Sequence, residues 1–367
     1  MNLKRFGTPV VIAAAAALAL SSCATNEGTA PAGGDTEPST SALAGNLVGA
    51  GASSQDAAQA AWIAAFQTAN PDVTIDYDPS GSGAGRETFQ QGASDFAGSD
   101  RAFKDEEIEA GPFDKCAPDS DLVELPLYIS PIAIIFNLDG VDSLNLDAAT
   151  VAGIFTGQIT KWNDPAIAAS NDGVELPDLA ITPVHRSDKS GTTGNFTEYL
   201  AAAAPEAWTE GSVEEWPLDS GEAAQGTSGL VDAVTNGTGT IGYADASRAG
   251  DLGTVSIKVG DEFVEYSPEA AAAIVDHSPL ASGRAAGDLA IELDRTSEEA
   301  GVYPIVLVSY LIGCAEYADP ANVELVKEYF GYIASEDGQN AAAEAAGSAP
   351  ISSSLREKIV AAIDSIK

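Results

Sequence analysis

The stretch Leu47-Val48-Gly49-Ala50-Gly51-Ala52-Ser53-Ser54 decides the fold. Two apolar residues enter a loop of Gly, Ala and Ser, after which Ala58, Ala61, Trp62, Ala65 and Phe66 recur at helical spacing up to Pro71. The reading is strand, small-residue loop, helix. Val73, Ile75 and Tyr77 alternate as in a second strand, Ser80-Gly81-Ser82-Gly83-Ala84-Gly85 forms a second loop, and Glu87 to Gln91 reads as helix. A third copy runs from Ile181 to Val184, through Arg186-Ser187-Asp188-Lys189-Ser190-Gly191-Thr192, into a helix bearing Phe196, Tyr199 and Leu200. Strands alternating with helices make the chain α/β.

The first turn of a helix leaves backbone N–H groups without partners and carries roughly half a positive charge. An anion placed there satisfies both. Glycine lets the backbone approach a ligand closely, while Ser and Thr hydroxyls add donors that rotate to meet a tetrahedral oxyanion. One such loop alone reads better as an ordinary Ser cap on a flexible turn. Three in one chain point to an anion site.

Outward from these loops, Lys4 and Arg5 precede an apolar run from Val10 to Leu20, too short to span a bilayer and patterned as a signal peptide over residues 1–22. Leu20-Ser21-Ser22-Cys23 looks like a bacterial lipobox, which makes Cys23 the lipid-modified mature N-terminus. Residues 23–44, rich in Gly, Pro, Ser, Thr and acids, read as a flexible tether. Roughly 320 residues remain, enough for two lobes of ordinary domain size.

Acidic residues number 55 against 17 basic ones, for a net charge of -38, so nucleic acid and anionic lipid surfaces are poor partners. The same charge repels an anion at long range, and any anion site must therefore act through local groups inside a cleft. Cys116 and Cys314 remain after Cys23, and in an exported chain such a pair is more often a disulfide than a metal or catalytic site. With only His185 and His277 and no metal-ligand spacing, neither a metal nor a cofactor is expected.

Taken with Gly98-Ser99-Asp100, the segment Ile154-Phe155-Thr156-Gly157-Gln158-Ile159-Thr160-Lys161-Trp162-Asn163-Asp164-Pro165, and Gly239-Thr240-Ile241-Gly242-Tyr243, the loops carry a specific resemblance. From Ala44 to Lys367 the sequence resembles the phosphate-binding lipoproteins, the substrate-binding proteins of the high-affinity bacterial ABC phosphate importer. The resemblance implies a type II periplasmic-binding-protein fold of two α/β lobes with the ligand cleft between them. One lobe is expected over 45–126 plus 268–367 and the other over 127–267, with Leu125-Pro126-Leu127-Tyr128-Ile129 as the first crossover strand. It also implies a monomer, lipid-anchored on the extracytoplasmic face of the cell membrane, that passes inorganic phosphate to the permease subunits and performs no catalysis.

By position, the resemblance makes Ser53, Ser54, Ser82, Ser190, Gly191 and Thr192 donors to phosphate through hydroxyl or backbone groups. Arg186 is the guanidinium expected on the ligand and Asp188 the carboxylate that orients it. Asp100 is the selector, because an ionised carboxylate only accepts hydrogen bonds and so favours an oxyanion that still has a proton to give. Phosphate has one near neutral pH; sulfate does not. The chain departs from the family at Ser54, where an aromatic is usual, at Ser82-Gly83-Ala84-Gly85, which has one hydroxyl fewer, and at Gly347-Ser348-Ala349-Pro350-Ile351, which lacks an aromatic. Other readings stay open on the residues alone: a receptor for sulfate, molybdate or a phosphonate, a surface adhesin, or a hydrolase using Ser190, His185 and Asp188.

Overall fold

The computed structural model describes residues 43–367. The signal peptide, Cys23 and nearly all of the tether lie outside the described residues. The first part of the chain forms β1 (Gly45–Gly51), α1 (Asp56–Ala69), β2 (Val73–Asp78), α2 (Ser82–Gln90), β3 (Phe96–Ser99) and α3 (Asp105–Ala110). Next come β4 (Leu122–Asn137), β5 (Ser143–Leu146), α4 (Ala148–Phe155), α5 (Pro165–Ala168), β6 (Thr182–Arg186) and α6 (Gly191–Ala203). They are followed by β7 (Glu222–Ala224), α7 (Gly226–Asn236), β8 (Thr240–Asp245), β9 (Gly253–Val259), β10 (Glu262–Val264) and α8 (Pro268–His277). The chain ends with β11 (Val306–Cys314), α9 (Val323–Ala334), α10 (Glu336–Ala346) and α11 (Ser353–Ser365).

The strands join in one sheet whose main path is β2-β1-β3-β11-β4-β8-β6-β7, with β9 pairing β4, β5 and β10. Its two halves are joined through β4. From Leu122 to Pro131 this strand pairs antiparallel with β11, and from Ile132 to Asn137 with β8. Every residue of β4 but Asn137 is buried, as expected of a strand covered on both faces.

The crossover strand is much longer than the Leu125–Ile129 segment expected from alternation, and its two prolines explain why its length was hidden. Pro cannot donate to a ladder and normally marks an edge or an irregularity. Pro126 sits at the bulge where β11 shifts register between Ser309 and Tyr310, and Pro131 stands where β4 exchanges β11 for β8. Both positions spare the ladder.

The second helix also starts earlier than its sequence suggested, at Ser82 rather than Glu87. Gly83 and Gly85 are poor helix formers, but here tertiary contact overrides propensity. A Cβ on Gly85 would run into the Ala50 carbonyl oxygen at 2.6 Å, so glycine lets α2 lie directly on β1. Of its expected stripe helix α1 buries Ala58, Trp62 and Phe66, leaves Ala61 half-buried and Ala65 exposed, and buries the unforeseen Gln59 as well. Among the described residues no helix is long and apolar enough to cross a membrane.

Cys116 and Cys314 form a disulfide with Cα atoms 5.2 Å apart, tying the segment after α3 to the end of β11. It closes a loop with a sequence separation of 198. Replacing both cysteines by alanine is expected to lower unfolding stability by about 2–5 kcal/mol, because the open chain gains the entropy the link removes. Equal denaturation midpoints for the variant and the parent would refute this.

Candidate anion site

Asp100 follows directly on β3 and is buried. Its Oδ1 accepts from both Ser54 Oγ and Ser309 Oγ at 2.6 Å, and its Oδ2 accepts from Thr192 Oγ1 at 3.1 Å. Its backbone N–H donates to Ser82 Oγ at 3.1 Å, and its carbonyl accepts from Asn195 Nδ2 at 2.6 Å. Burial pushes the Asp100 carboxyl above the usual range, while these three hydroxyls and the Arg186 charge pull it back. A carboxylate has about four acceptor directions, two per oxygen. Oδ1 is filled, and one direction on Oδ2 has no partner among the described residues.

Arg186 ends β6 and is 2% exposed. Its Nε donates to Asp188 Oδ1 at 2.7 Å and a terminal nitrogen donates to Asp188 Oδ2, a two-point fork. Asp188 also accepts from Gly226 N–H at 2.9 Å, so the start of α7 fixes the carboxylate that fixes the arginine. Burial raises the Asp188 carboxyl, but Arg186 and the Gly226 amide bring it below the usual value.

The third helix is entered at Ser190, whose Oγ accepts from Thr193 N–H at 3.2 Å. Ser190 is thus a helix cap, whereas neither Ser53 nor Ser82 caps its own helix. Gly191 opens α6 against the opposite loop, where a Cβ would fall 2.6 Å from Ser82 Oγ and from Asp100 Cβ. Gly81 takes φ +106°, a conformation glycine reaches without penalty, and a Cβ there would meet Asp188 Oδ2 at 2.7 Å. Gly83 N–H donates to the Lys189 carbonyl at 3.1 Å. The loops of the two sheet halves therefore touch.

Ser53, Ser54, Ser82, Asp100, Arg186, Asp188, Ser190, Gly191 and Thr192 are thus gathered into one region. Ser53 Oγ lies 2.9 Å from Thr227 Oγ1 and accepts from Thr227 N–H at 3.2 Å, which brings in a fourth helix start, that of α7. Gly226-Thr227-Ser228-Gly229 carries the same small-residue signature as the other loops and was legible. Ser309 lies inside β11 and Gln55 in the short 3-10 turn Ser53–Gln55 just before α1, and neither carried a local signal.

The polar atoms of the hydrolase reading have other partners. His185 Nδ1 lies 3.0 Å from the Arg186 carbonyl, with its ring stacked 5.0 Å from that of Trp216, while Asp188 is held by Arg186. A cavity of about 600 Å³ flanks the site, reached by Lys189, Gly191, Glu214 and Trp216.

This fold and cleft define a class. A family model described as a PBP superfamily domain matches residues 36–337. Among solved structures, a periplasmic phosphate-binding protein (PfluDING) bound with phosphate is 22% identical with a TM-score of 0.67, covering 86% of this chain and 93% of that one. A putative phosphate ABC transporter substrate-binding protein with bound phosphate from Clostridium perfringens is 23% identical, TM-score 0.59, covering 82% and 98%. These show the fold. Phosphate-binding protein PstS 3 of Mycobacterium tuberculosis is 35% identical over 340 residues, 90% of each chain, and PstS 2 of the same species is 33% identical over 376 residues, 100% of each. PstS of Xylella fastidiosa is 30% identical over 308 residues, 81% of this chain and 79% of that one. The chain belongs to the PstS family of phosphate-binding proteins within the PBP superfamily. The family and the α/β periplasmic-binding-protein fold expected from the sequence are borne out.

Proposed function

We propose that this chain captures inorganic phosphate outside the cytoplasmic membrane and delivers it to an ABC-type permease, binding without chemistry. The observation that carries the reading is a buried carboxylate with one open acceptor direction, Asp100, set among helix starts and near the buried Arg186. Such a site matches an oxyanion that brings both negative charge and one proton. The names of the relatives, phosphate-binding proteins, support the same ligand. In this reading Ser53, Ser82 and Ser190 supply hydroxyl donors, Ser54, Gly191 and Thr192 backbone donors because the Ser54 and Thr192 hydroxyls are spent on Asp100, Arg186 the positive charge, and Asp188 its orientation.

The halves of the sheet act as lobes that swing about β4 and close on the ion. Cys23 carries the lipid, residues 24–44 the tether, and the receptor works as a monomer. The test is calorimetric titration of protein stripped of ligand by unfolding and refolding, with phosphate and then sulfate. Tight phosphate binding with no sulfate heat supports the receptor; equal binding or none removes it.

Arg186→Ala is expected to weaken phosphate about thirtyfold, the cost of losing one charge-assisted hydrogen bond to the ion from a buried site. Sulfate, where it binds at all, should weaken in parallel because Arg186 reads charge and not protons. Unchanged phosphate affinity would take Arg186 out of the site.

A further inference from the structure

Asp100 is buried, and burial disfavours the ionised form that an acceptor for a ligand proton requires. Behind Asp100 runs a chain of buried polar side chains. Tyr329 O–H donates to Gln59 Oε1 at 2.8 Å, Gln59 Nε2 to Gln55 Oε1 at 2.9 Å, and Gln55 Nε2 to Ser309 Oγ at 2.6 Å. Ser309 Oγ then donates to Asp100 Oδ1 at 2.6 Å. All five side chains are buried, and every donor points the same way, toward the carboxylate.

We infer that Ser309, backed by Gln55, Gln59 and Tyr329, is a specificity-determining positioning residue that keeps Asp100 an acceptor and turns Oδ2 toward the ligand. The inference rests on the phosphate-receptor reading. Aligned hydrogen bonds polarise one another, and a chain ending on a carboxylate stabilises its charged form. Because the Ser309 hydroxyl already accepts from Gln55, its own proton is committed to Asp100. Ser54 Oγ takes the remaining direction on Oδ1 at 2.6 Å. With Oδ1 saturated, only Oδ2 can meet a proton on the ligand.

The location adds a second role. Ser309 pairs with Tyr128 of β4 beside the bulge that the unpaired Leu127 makes in that strand, so the chain joins the ion selector to β4, the strand that crosses between the halves. Gln55 Nε2 also reaches the Tyr310 carbonyl at 3.2 Å, on the far side of that bulge. Charged and titratable groups facing Asp100 from other elements are Arg186 on β6, Tyr77 on β2 and Tyr128 on β4, with Asp56 and Asp78 further out around Tyr77. None of them is altered by changing Ser309.

Removing the Ser309 hydroxyl takes away a donor that favours the ionised form. Asp100 then keeps its proton to higher pH, and a protonated Asp100 can donate to a fully ionised anion. Sulfate isolates this effect, because it stays ionised throughout the range in which carboxyls titrate.

The experiment is titration of the full chain with phosphate and with sulfate across a pH series, for the parent, Ser309→Ala, Ser309→Thr and Gln55→Met. In Ser309→Ala the onset of sulfate binding should move to higher pH, and at fixed pH the phosphate-over-sulfate ratio should fall about tenfold, the worth of one hydrogen bond to a charged group. Ser309→Thr keeps the hydroxyl on a β-favouring side chain and should restore the parent profile. Gln55→Met should move the profile the same way by less. A Ser309→Ala profile that superimposes on the parent overturns the inference, as does a Ser309→Thr variant that behaves like Ser309→Ala. Failure of the parent itself to bind phosphate would instead remove the receptor reading and this inference with it.

Discussion

Asp100→Asn is expected to lower the ratio of phosphate to sulfate affinity by roughly 10³, mainly by admitting sulfate. A site built around a ligand hydroxyl rejects the analogue lacking it by about 10⁴–10⁵, because buried polar groups are left unmatched. Here the unmatched pair is Oδ2 of Asp100 facing a sulfate oxygen with no proton between them. Asparagine removes that repulsion. Its amide oxygen can take the place of Oδ1 and keep the donors from Ser54 and Ser309, while its NH₂ occupies the Oδ2 position and offers hydrogens. Phosphate should lose less, since its P–O–H can turn elsewhere and an unprotonated oxygen can accept from the amide. Competition titration of both ions on one preparation measures the ratio. Continued full rejection of sulfate by Asp100→Asn would show that selectivity does not reside in this carboxylate.

How much of this was legible in the sequence depends on the range of the interactions. The loops that open α1 and α6 are local: glycines, a capping Ser190, and an apolar stripe at Ala58, Trp62 and Phe66 announce themselves within fifteen residues. Asp100 and Arg186 stand just beyond or at strand ends beside those loops, and the resemblance located them. The prolines in β4 argued locally against a long strand, and only pairing with β11 and β8 overrules them. The chain behind Asp100 was invisible for a related reason. Gln55 and Gln59 are one helical turn apart in unremarkable sequence, and Ser309 lies 209 residues from Asp100, so nothing local connects them. Thr227 is the exception, since its loop carries the same small-residue chemistry as the other three.

Glu214→Ala is the second large effect, expected to weaken phosphate binding by about 10² to 10³ without altering any group assigned to the ion. Glu214 lies between α6 and β7, on the half of the sheet that carries β6 and β8. Its Oε2 receives Arg86 Nη2 at 2.6 Å and Arg101 Nη2 at 2.8 Å, both from the opposite half. Arg86 is 2% exposed, and its other terminal nitrogen donates to Ser99 Oγ at 2.6 Å, next to Asp100. On its own side the Glu214 carbonyl accepts from Ser190 N–H at 3.0 Å, so one residue links the third ligand loop to the arginines across the cleft. Burial pushes the Glu214 carboxyl up, but Arg86 and Arg101 hold it below the usual value, so the link persists at neutral pH and is lost only as pH falls through that lowered range.

Removing one partner of a buried pair costs about 3–5 kcal/mol, chiefly because the charge left behind stays desolvated. That penalty applies where the halves meet and is relieved where they part and water reaches Arg86. It therefore falls on closure and is read as affinity. Glu214→Gln keeps a hydrogen-bond acceptor and should lose less. Changing Arg86 to Met in the Glu214→Ala background should recover part of the affinity, since the stranded charge goes with it. Scattering in solution supplies the independent readout: at a phosphate level that compacts the parent, Glu214→Ala should keep a larger radius. Parent-like affinity and compaction in Glu214→Ala would mean that the halves close on the ion and its loops alone, with the ion pairs only decorating a contact already made.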